Sequence, residues 1–172
     1  AVMLAAGGFE QNQTMREHYL PAPTNKAWSA GIKTNTGDAI VAGQRIGAQT
    51  AQMDGAWWCS TVTVPGREYP FLSIVTKSMP GTFVVNQTGK RYGNESQNYM
   101  SWSMGLFDQH SDNNNCVPSY MIFDTKFKNK YSAFPLTGPD WLLPKAYFNC
   151  GLITKANSIE KLAEKANINV SN

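Results

Sequence analysis

Charge is scarce in this sequence. Charged side chains make up 16% of its 172 residues, and the formal net charge is only +3. The basic residues form no run and no stripe, so the chain lacks the electrostatic footprint of a nucleic-acid binder. Cysteine is rare too: Cys59, Cys116 and Cys150 form no CxxC pair. The two histidines, His18 and His110, make no ligand pattern with them, so no metal site is predicted. An odd thiol count without a pairing framework fits a reducing compartment. The expected location is cytoplasmic or membrane-associated. No apolar run approaches the roughly 20 residues that span a bilayer, so no transmembrane segment is predicted. The opening AVMLAAGGFE is apolar, but no basic residue precedes it, which makes it a poor signal peptide.

What is present is apolar and aromatic. Hydrophobic residues reach 42%, with five Trp, seven Tyr and eight Phe. Such a chain folds, and its length fits one domain or one domain plus a piece of another. Residues 1–6 read as a buried strand broken by Gly7-Gly8. The other end holds one helix, which Asn157 can cap with Glu160 as the capping-box partner. Because the sequence opens inside a strand and closes just past a helix, it reads as a piece cut from a longer protein. Between the ends, TMREHYL reads as a helix stopped by Pro21. Asn35 or Thr36 can cap a helix over about 38–46. Residues 83–86 and 120–123 read as strands, QTGKRY as a hairpin turn around Gly89, 98–107 as a helix and 149–154 as a last strand. The mixture predicts an α+β fold.

Three segments can carry chemistry. In AVMLAAGG, small residues and the pair Gly7-Gly8 either make a tight turn or let a flat cofactor approach the backbone. In NTGD, the residues Thr36, Gly37 and Asp38 open a helix. Its free N–H groups either take an ordinary cap or hold a phosphate or ribityl hydroxyl. In GKRYGNESQNYM, Tyr99 either fills space or moves a proton, with Lys90 and Arg91 as a source of positive field. Asn94 and Glu95 fit the role of turn anchors.

Together the three segments resemble the flavoproteins of the fumarate reductase and 3-ketosteroid dehydrogenase superfamily. The shared order is LAAGGFE, then NTGD, then VN-x-x-GKR-[FY]-x-NE-S. The stretch from VPSYMIFD to SIEKLAEKANI is similar to the 3-ketosteroid Δ1-dehydrogenase branch in particular. The resemblance implies that residues 1–9 are a terminal strand of a parent FAD-binding domain. It implies that residues 10–172 are the inserted substrate-binding, or capping, domain of the fumarate reductase flavoprotein type. FAD is then the cofactor, with Gly7, Gly8, Thr36, Gly37 and Asp38 as its contacts. A 3-ketosteroid is the implied substrate, and a quinone or another electron acceptor is the implied partner of a bacterial enzyme.

The choice of branch rests on missing ions. Fumarate reductases hold a dicarboxylate with His and Arg, and a buried dicarboxylate without such partners is costly. This sequence has Tyr99 where one Arg would lie. It has Trp58-Cys59 near the position of the His, and Val75 and Ser78 near an acid and an Arg. A flat, apolar ligand with one polar end suits that exchange. The resemblance then implies that Tyr99 is the base that takes a proton from C2 while the C1 hydride passes to flavin N5. Trp57, Trp58 and Met100 are the expected substrate wall, with Phe71 and Met79 as further candidates. The groups that polarise the ketone come from other parts of such enzymes, so this chain alone is expected to be inactive and to hold flavin poorly. Two alternatives stand beside this reading: the cap of a related enone or enoate oxidoreductase, and a non-catalytic module that binds apolar ligands.

Overall fold

The structure is a computed structural model that describes residues 2–131, 133, 135, 136 and 138–168. Position 1 of the first predicted domain and positions 132, 134, 137 and 169–172 of the second lie outside the described residues. By packing, the chain divides into two compact units. One comprises Ala1–Trp57, Thr61–Thr63 and Arg67–Leu72, and the other Trp58–Ser60, Val64–Gly66 and Ser73–Asn172.

The first unit holds α1 (Gln13–Tyr19), α2 (Asp38–Arg45) and a short antiparallel pair, β1 (Thr61–Val62) with β2 (Phe71–Leu72). The Asn12 side chain caps α1 by accepting the Met15 N–H at 3.1 Å. Leu20 ends α1 in extended geometry (φ −94°, ψ 155°), as a residue before proline should. α2 matches its predicted span to within one residue, but its cap is not the predicted one. Gly37 occupies that position at φ 84° and makes no side-chain cap bond. Glycine alone adopts that backbone cheaply. The predicted caps are engaged elsewhere: Thr36 donates to Asp38 Oδ1 at 3.0 Å and Asn35 to Glu10 Oε1 at 2.6 Å. The strand predicted over residues 1–6 is not formed across its described residues, 2–6. Residues 2–8 carry no regular structure, because an extended segment becomes a strand only beside a ladder partner.

The second unit is built on β3 (Thr82–Val85) and β4 (Tyr120–Phe123), antiparallel, with Thr82 opposite Phe123 and Val85 opposite Tyr120. Four helices accompany them: α3 (Tyr99–Gln109), α4 (Thr125–Tyr131), α5 (Lys145–Asn149) and α6 (Ile159–Lys165). Both strands fall where the sequence predicts them, within a residue. Asp124 then turns the chain into α4 by accepting the Phe127 N–H at 2.7 Å. The strand predicted over 149–154 is absent. Asn149 ends α5, Gly151 takes φ 78°, and Ile153 N–H returns to Tyr147 O at 3.0 Å, so the segment folds back on its helix. The cap of α6 is Ser158, one residue past the predicted Asn157, and it accepts from Lys161 N–H.

The core of this unit gathers Phe127, Ala133, Leu136 and Leu143, with Met79, Phe123 and Tyr147 packed against it. Phe127 is 2% exposed and sits 5.2 Å from the Phe123 ring centroid. Truncating such a ring removes its transfer free energy and leaves a cavity. Phe127→Ala should therefore lower unfolding free energy by about 3–5 kcal/mol, read from urea denaturation. A loss below about 1 kcal/mol would mean that this cluster is not the core of the unit.

Candidate functional site

The glycine segment and the NTGD segment meet in the first unit, although about 30 residues separate them. Gly37 N–H donates to Gly8 O at 3.0 Å, and Gln11 N–H donates to Asn35 O at 3.0 Å. Asn12 also donates through its side chain to Thr36 O at 3.0 Å. A Cβ on Gly7 would lie 2.3 Å from Asn35 Oδ1, and one on Gly37 would lie 2.5 Å from the Met15 sulfur. Both residues have positive φ, 76° and 84°, which favours glycine, and the side chains against them leave little room. Beside this junction lies a cavity of about 290 Å³, lined by Leu4, Gly7, Ala39, Ile40, Gly43 and Met53 among others. Its wall is mostly apolar, with Gln44, Gln49 and Thr50 as its polar members, and the first turn of α2 forms part of it. Gly37 supplies no side-chain acceptor, so helix geometry leaves first-turn N–H groups without a partner inside α2. Small walls, backbone donors and the Thr36 hydroxyl fit a flat, oxygen-bearing group such as part of FAD. Asp38 makes the same end less suited to a bare phosphate.

Tyr99 is the first residue of α3 and is half-buried. Asn98 caps that helix by accepting the Ser101 N–H at 2.9 Å. Helical spacing puts Tyr99, Ser103 and Phe107 along one face, with Met100 at its border. The segment 58–60 runs along this face. Trp58 packs edge-on against Phe107 with ring centroids 4.9 Å apart, and Ser60 Oγ lies 3.4 Å from Ser103 Oγ. The opposite face, with Ser101, Met104, Gly105 and Asp108, borders a different, open cavity of about 420 Å³ that Tyr99 does not line.

The wall residues fare unequally. Trp58 and Met100 are half-buried around the Tyr99 face. Trp57 belongs to the first unit and is 81% exposed. Phe71, also in the first unit, lies under the Arg67 guanidinium, 4.1 Å from its ring centroid. Met79 packs in the core around Phe127. The Cys59 thiol is pushed up by burial, against the pull of Lys77 and the Ser73 N–H, which suits packing better than nucleophilic attack. His110 accepts the Cys116 N–H through Nδ1 at 3.2 Å, a structural task.

The turn before Tyr99 is fixed by charge. Glu95 is 5% exposed. Its Oε1 accepts the Val84 N–H of β3 at 2.9 Å and the Arg91 Nε–H at 3.2 Å, while Oε2 takes Arg91 NH2 at 2.5 Å. Lys77 is 3% exposed. Its ammonium donates to Glu95 O at 2.7 Å and Gln97 O at 2.8 Å, and lies 5.2 Å from the Trp102 ring centroid. Burial lowers the Lys77 pKa, with Cys59 and Glu95 acting the other way. The hairpin before this turn hangs on Asn86, which is fully buried. Its Oδ1 accepts Thr88 N–H, Thr88 Oγ1–H and Lys90 N–H at 2.9–3.0 Å. Tyr92, the other phenol of the stretch, shares a 2.7 Å hydrogen bond with Ser119. Burial pushes its pKa up to about 12, so it stays protonated near neutrality.

Sequence reasoning found Glu95 as a turn anchor but missed Lys77 and Asn86. A lone lysine between serine and threonine carries no periodic signal, and the asparagine of the VN pair passed as a strand end. The sequence offers Lys90 and Arg91 as shapers of the turn and of the field at Tyr99, and Arg91 takes the first task through its pair with Glu95.

Burial pushes the Glu95 carboxyl up, but the bonds from Arg91 and the Val84 N–H outweigh it, and the net pKa lies below the ordinary value. A depressed carboxyl stabilises the fold fully above its unfolded value, about 4.3, and that contribution is lost as pH falls through the lower folded pKa. The acid limb of a stability–pH curve should therefore be shallower in Glu95→Gln than in the natural chain. Glu95→Ala, which strands the buried Val84 N–H, should cost about 1–3 kcal/mol at neutral pH. Chemical denaturation at a series of pH values checks both, and identical acid limbs would refute the assignment.

The FAD binding domain family model matches residues 1–167. The chain is 35% identical to a 3-oxosteroid 1-dehydrogenase of Mycolicibacterium smegmatis over 97% of its own length and 30% of that relative's. It is 33% identical to a 4-oxocyclohexanecarboxylate 2-dehydrogenase of Sinomonas cyclohexanicum, over 85% of this chain and 27% of that one. The crystal structure of 3-ketosteroid delta1-dehydrogenase from Sterolibacterium denitrificans, in complex with 1,4-androstadiene-3,17-dione, superposes with a TM-score of 0.88 at 38% identity. That match covers 98% of this chain and 30% of the other. An open flavocytochrome c3 fumarate reductase shares the fold at a TM-score of 0.62 and 24% identity, over 99% of this chain and 27% of the other. The chain thus spans less than a third of the length of the relatives it matches. Within that span the match is nearly continuous, and the chain belongs to the FAD binding domain family.

Proposed function

We propose that this chain is the substrate-side part of a longer FAD-dependent 3-ketosteroid dehydrogenase that removes hydrogen from C1 and C2 of the steroid A ring. In this reading residues 10–172 form the capping domain and residues 1–9 the adjoining edge of the FAD-binding domain. The observation that carries it is the shared face of α3. Tyr99 opens that face, Trp58 packs on it at Phe107, and Met100 borders it. A proton acceptor beside aromatic and thioether side chains suits a flat, apolar ketone.

A C3 ketone acidifies the C2 protons. Tyr99, acting as the phenolate, takes one of them at Oη and becomes the phenol, while Trp58 and Met100 exclude water and hold the ring plane. Tyr92 does not compete for this role, because its hydroxyl is tied to Ser119 Oγ at 2.7 Å and its side chain lines the cavity that Tyr99 does not. When bound, FAD supplies the acceptor for the C1 hydride, which leaves a C1–C2 double bond. Gly7, Gly8, Thr36, Gly37 and Asp38 are the residues that would hold it, through the backbone donors of α2 and the Thr36 hydroxyl. The ketone-polarising donors come from outside this chain, so the chain alone is inactive. Electrons leave to a quinone or another acceptor. Among the described residues no helix is long and apolar enough to cross a membrane. The relatives named above as dehydrogenases are bacterial, in keeping with a bacterial enzyme that works in the cytoplasm or at a membrane surface.

A second reading has one observation in its favour, the 33% identity to the Sinomonas enzyme named for a cyclic keto acid. A carboxylate substrate needs a cation. The basic side chains that touch the 95–97 turn, Lys77 and Arg91, are both engaged within the chain, which favours the steroid.

The test uses the full-length flavoprotein. Anaerobic mixing with a 3-ketosteroid should bleach the oxidised flavin band and yield the Δ1 product. Bleaching only with 4-oxocyclohexanecarboxylate would move the assignment to the second reading. Tyr99→Phe should lower kcat by about 10²–10⁴ with an unchanged melting temperature, whereas Tyr92→Phe should keep kcat. Near-normal turnover in Tyr99→Phe would remove Tyr99 from the mechanism.

A further inference from the structure

Lys77 is an unusual lysine. It is 3% exposed, it lies in a short 3-10 turn (Thr76–Ser78), and no carboxylate pairs with its ammonium among the described ion pairs. Instead Nζ donates to two main-chain carbonyls, Glu95 O at 2.7 Å and Gln97 O at 2.8 Å, and faces the Trp102 ring. Trp102 is itself 3% exposed. Its ring is so close to Gly93 that a Cβ there would lie 2.8 Å from Cζ3. The ammonium is therefore held from one side by a packed indole and spans the two carbonyls on the other. Those carbonyls belong to the turn whose next residues are Asn98, the cap of α3, and Tyr99.

The geometry points to Lys77 as a positioning residue, which fixes the 95–98 turn and thereby sets where the Tyr99 hydroxyl stands against the substrate. This rests on the role proposed for Tyr99. Burying a lysine is unfavourable unless its donors are met, and a neutral apolar side chain would pack against Trp102 without drawing the carbonyls together. The ammonium adds a fixed point from which the first turn of α3 is aimed. A phenol must sit within hydrogen-bond reach of the proton it takes, so a small error of aim is expensive in rate.

The experiment is made on the full-length, FAD-loaded protein, with rates expressed per bound flavin. Lys77→Met, which removes the ammonium, should lower kcat by about 100-fold while KM for the 3-ketosteroid changes less than about threefold. Lys77→Gln, which keeps one donor group, should fall between Lys77→Met and the natural enzyme. Lys77→Arg, with charge and paired donors retained, should recover most of the rate. Phe127→Leu, in the core around α4, serves as the comparison: it should lower the melting temperature and leave kcat per flavin unchanged. If Lys77→Met does not fold, Lys77→Gln decides. A folded Lys77 variant without the ammonium that turns over within twofold of the natural enzyme overturns the inference. So does a kcat loss that Phe127→Leu reproduces at the same melting temperature. The two proposals fail separately. If Tyr99→Phe is fully active, the catalytic reading itself falls. If Tyr99→Phe is inactive and Lys77→Gln is fully active, only the positioning role falls.

Discussion

Glu95 ties β3, the hairpin after it and the start of α3 into one piece. Its carboxylate holds the Val84 N–H and the Arg91 guanidinium, while its carbonyl is held by Lys77. A buried carboxylate is tolerated only when its charge and lone pairs are met, so the arrangement of the turn is all or nothing. Remove one donor and the remaining charge has no solvent to relax into. This explains why a loop of polar residues, GKRYGNESQN, can be rigid enough to aim a helix. Asn86 does the same one step earlier, closing the hairpin with a single buried carbonyl oxygen.

The same constraint decides what the neighbouring surface can bind. Arg91 is spent on Glu95, and Lys77 is spent on two carbonyls. Charge near Tyr99 therefore serves the protein's own geometry before it serves a ligand. What is left along the α3 face is an indole, a thioether and small hydroxyls. Such a surface gives area and orientation, and it leaves specificity to a few polar groups. The glycine junction of the first unit follows a related rule. Gly7 and Gly37 hold positive φ with Asn35 and Met15 close against them, and the tight backbone approach there helps shape the small cavity beside α2.

Much of this was legible from the sequence, for reasons that can be named. β3 and β4 are short runs of β-branched and aromatic residues bounded by Gly, Asn and Pro, and such runs have few other outcomes. α1 was legible because Pro21 follows it, although its cap, Asn12, was not singled out. The failures share a cause. Residues 1–6 and 149–154 look like strands by composition, but strandness belongs to a pair and not to a segment. The cap of α6 falls on Ser158 rather than Asn157, a competent cap beside it, and that of α2 falls on Gly37 while Asn35 bonds Glu10. Tyr99 and Trp58 were legible as candidates through a motif. That Trp58 meets the Tyr99 face, whereas Trp57 stands 81% exposed, was not. Adjacent residues point in different directions, and only the path of the backbone says which.

Lys77 shows where sequence reasoning reaches its limit. Read as residue types, TKS before an apolar strand is a surface turn, and a lysine there is expected in water. Its burial depends on Trp102, Gly93 and the carbonyls of 95 and 97, none of which is local to it. The negative charge of Glu95, held in place by Arg91, offsets part of the cost of burying Lys77. The ammonium, in turn, is what draws two carbonyls to one point ahead of Asn98. The order of dependence thus runs from Arg91 to Glu95, from Glu95 to Lys77, and from Lys77 to the first turn of α3. A substitution early in that chain should be felt at Tyr99 even though it touches neither substrate nor cofactor, whereas one on the Ser101–Asp108 face of the same helix should not.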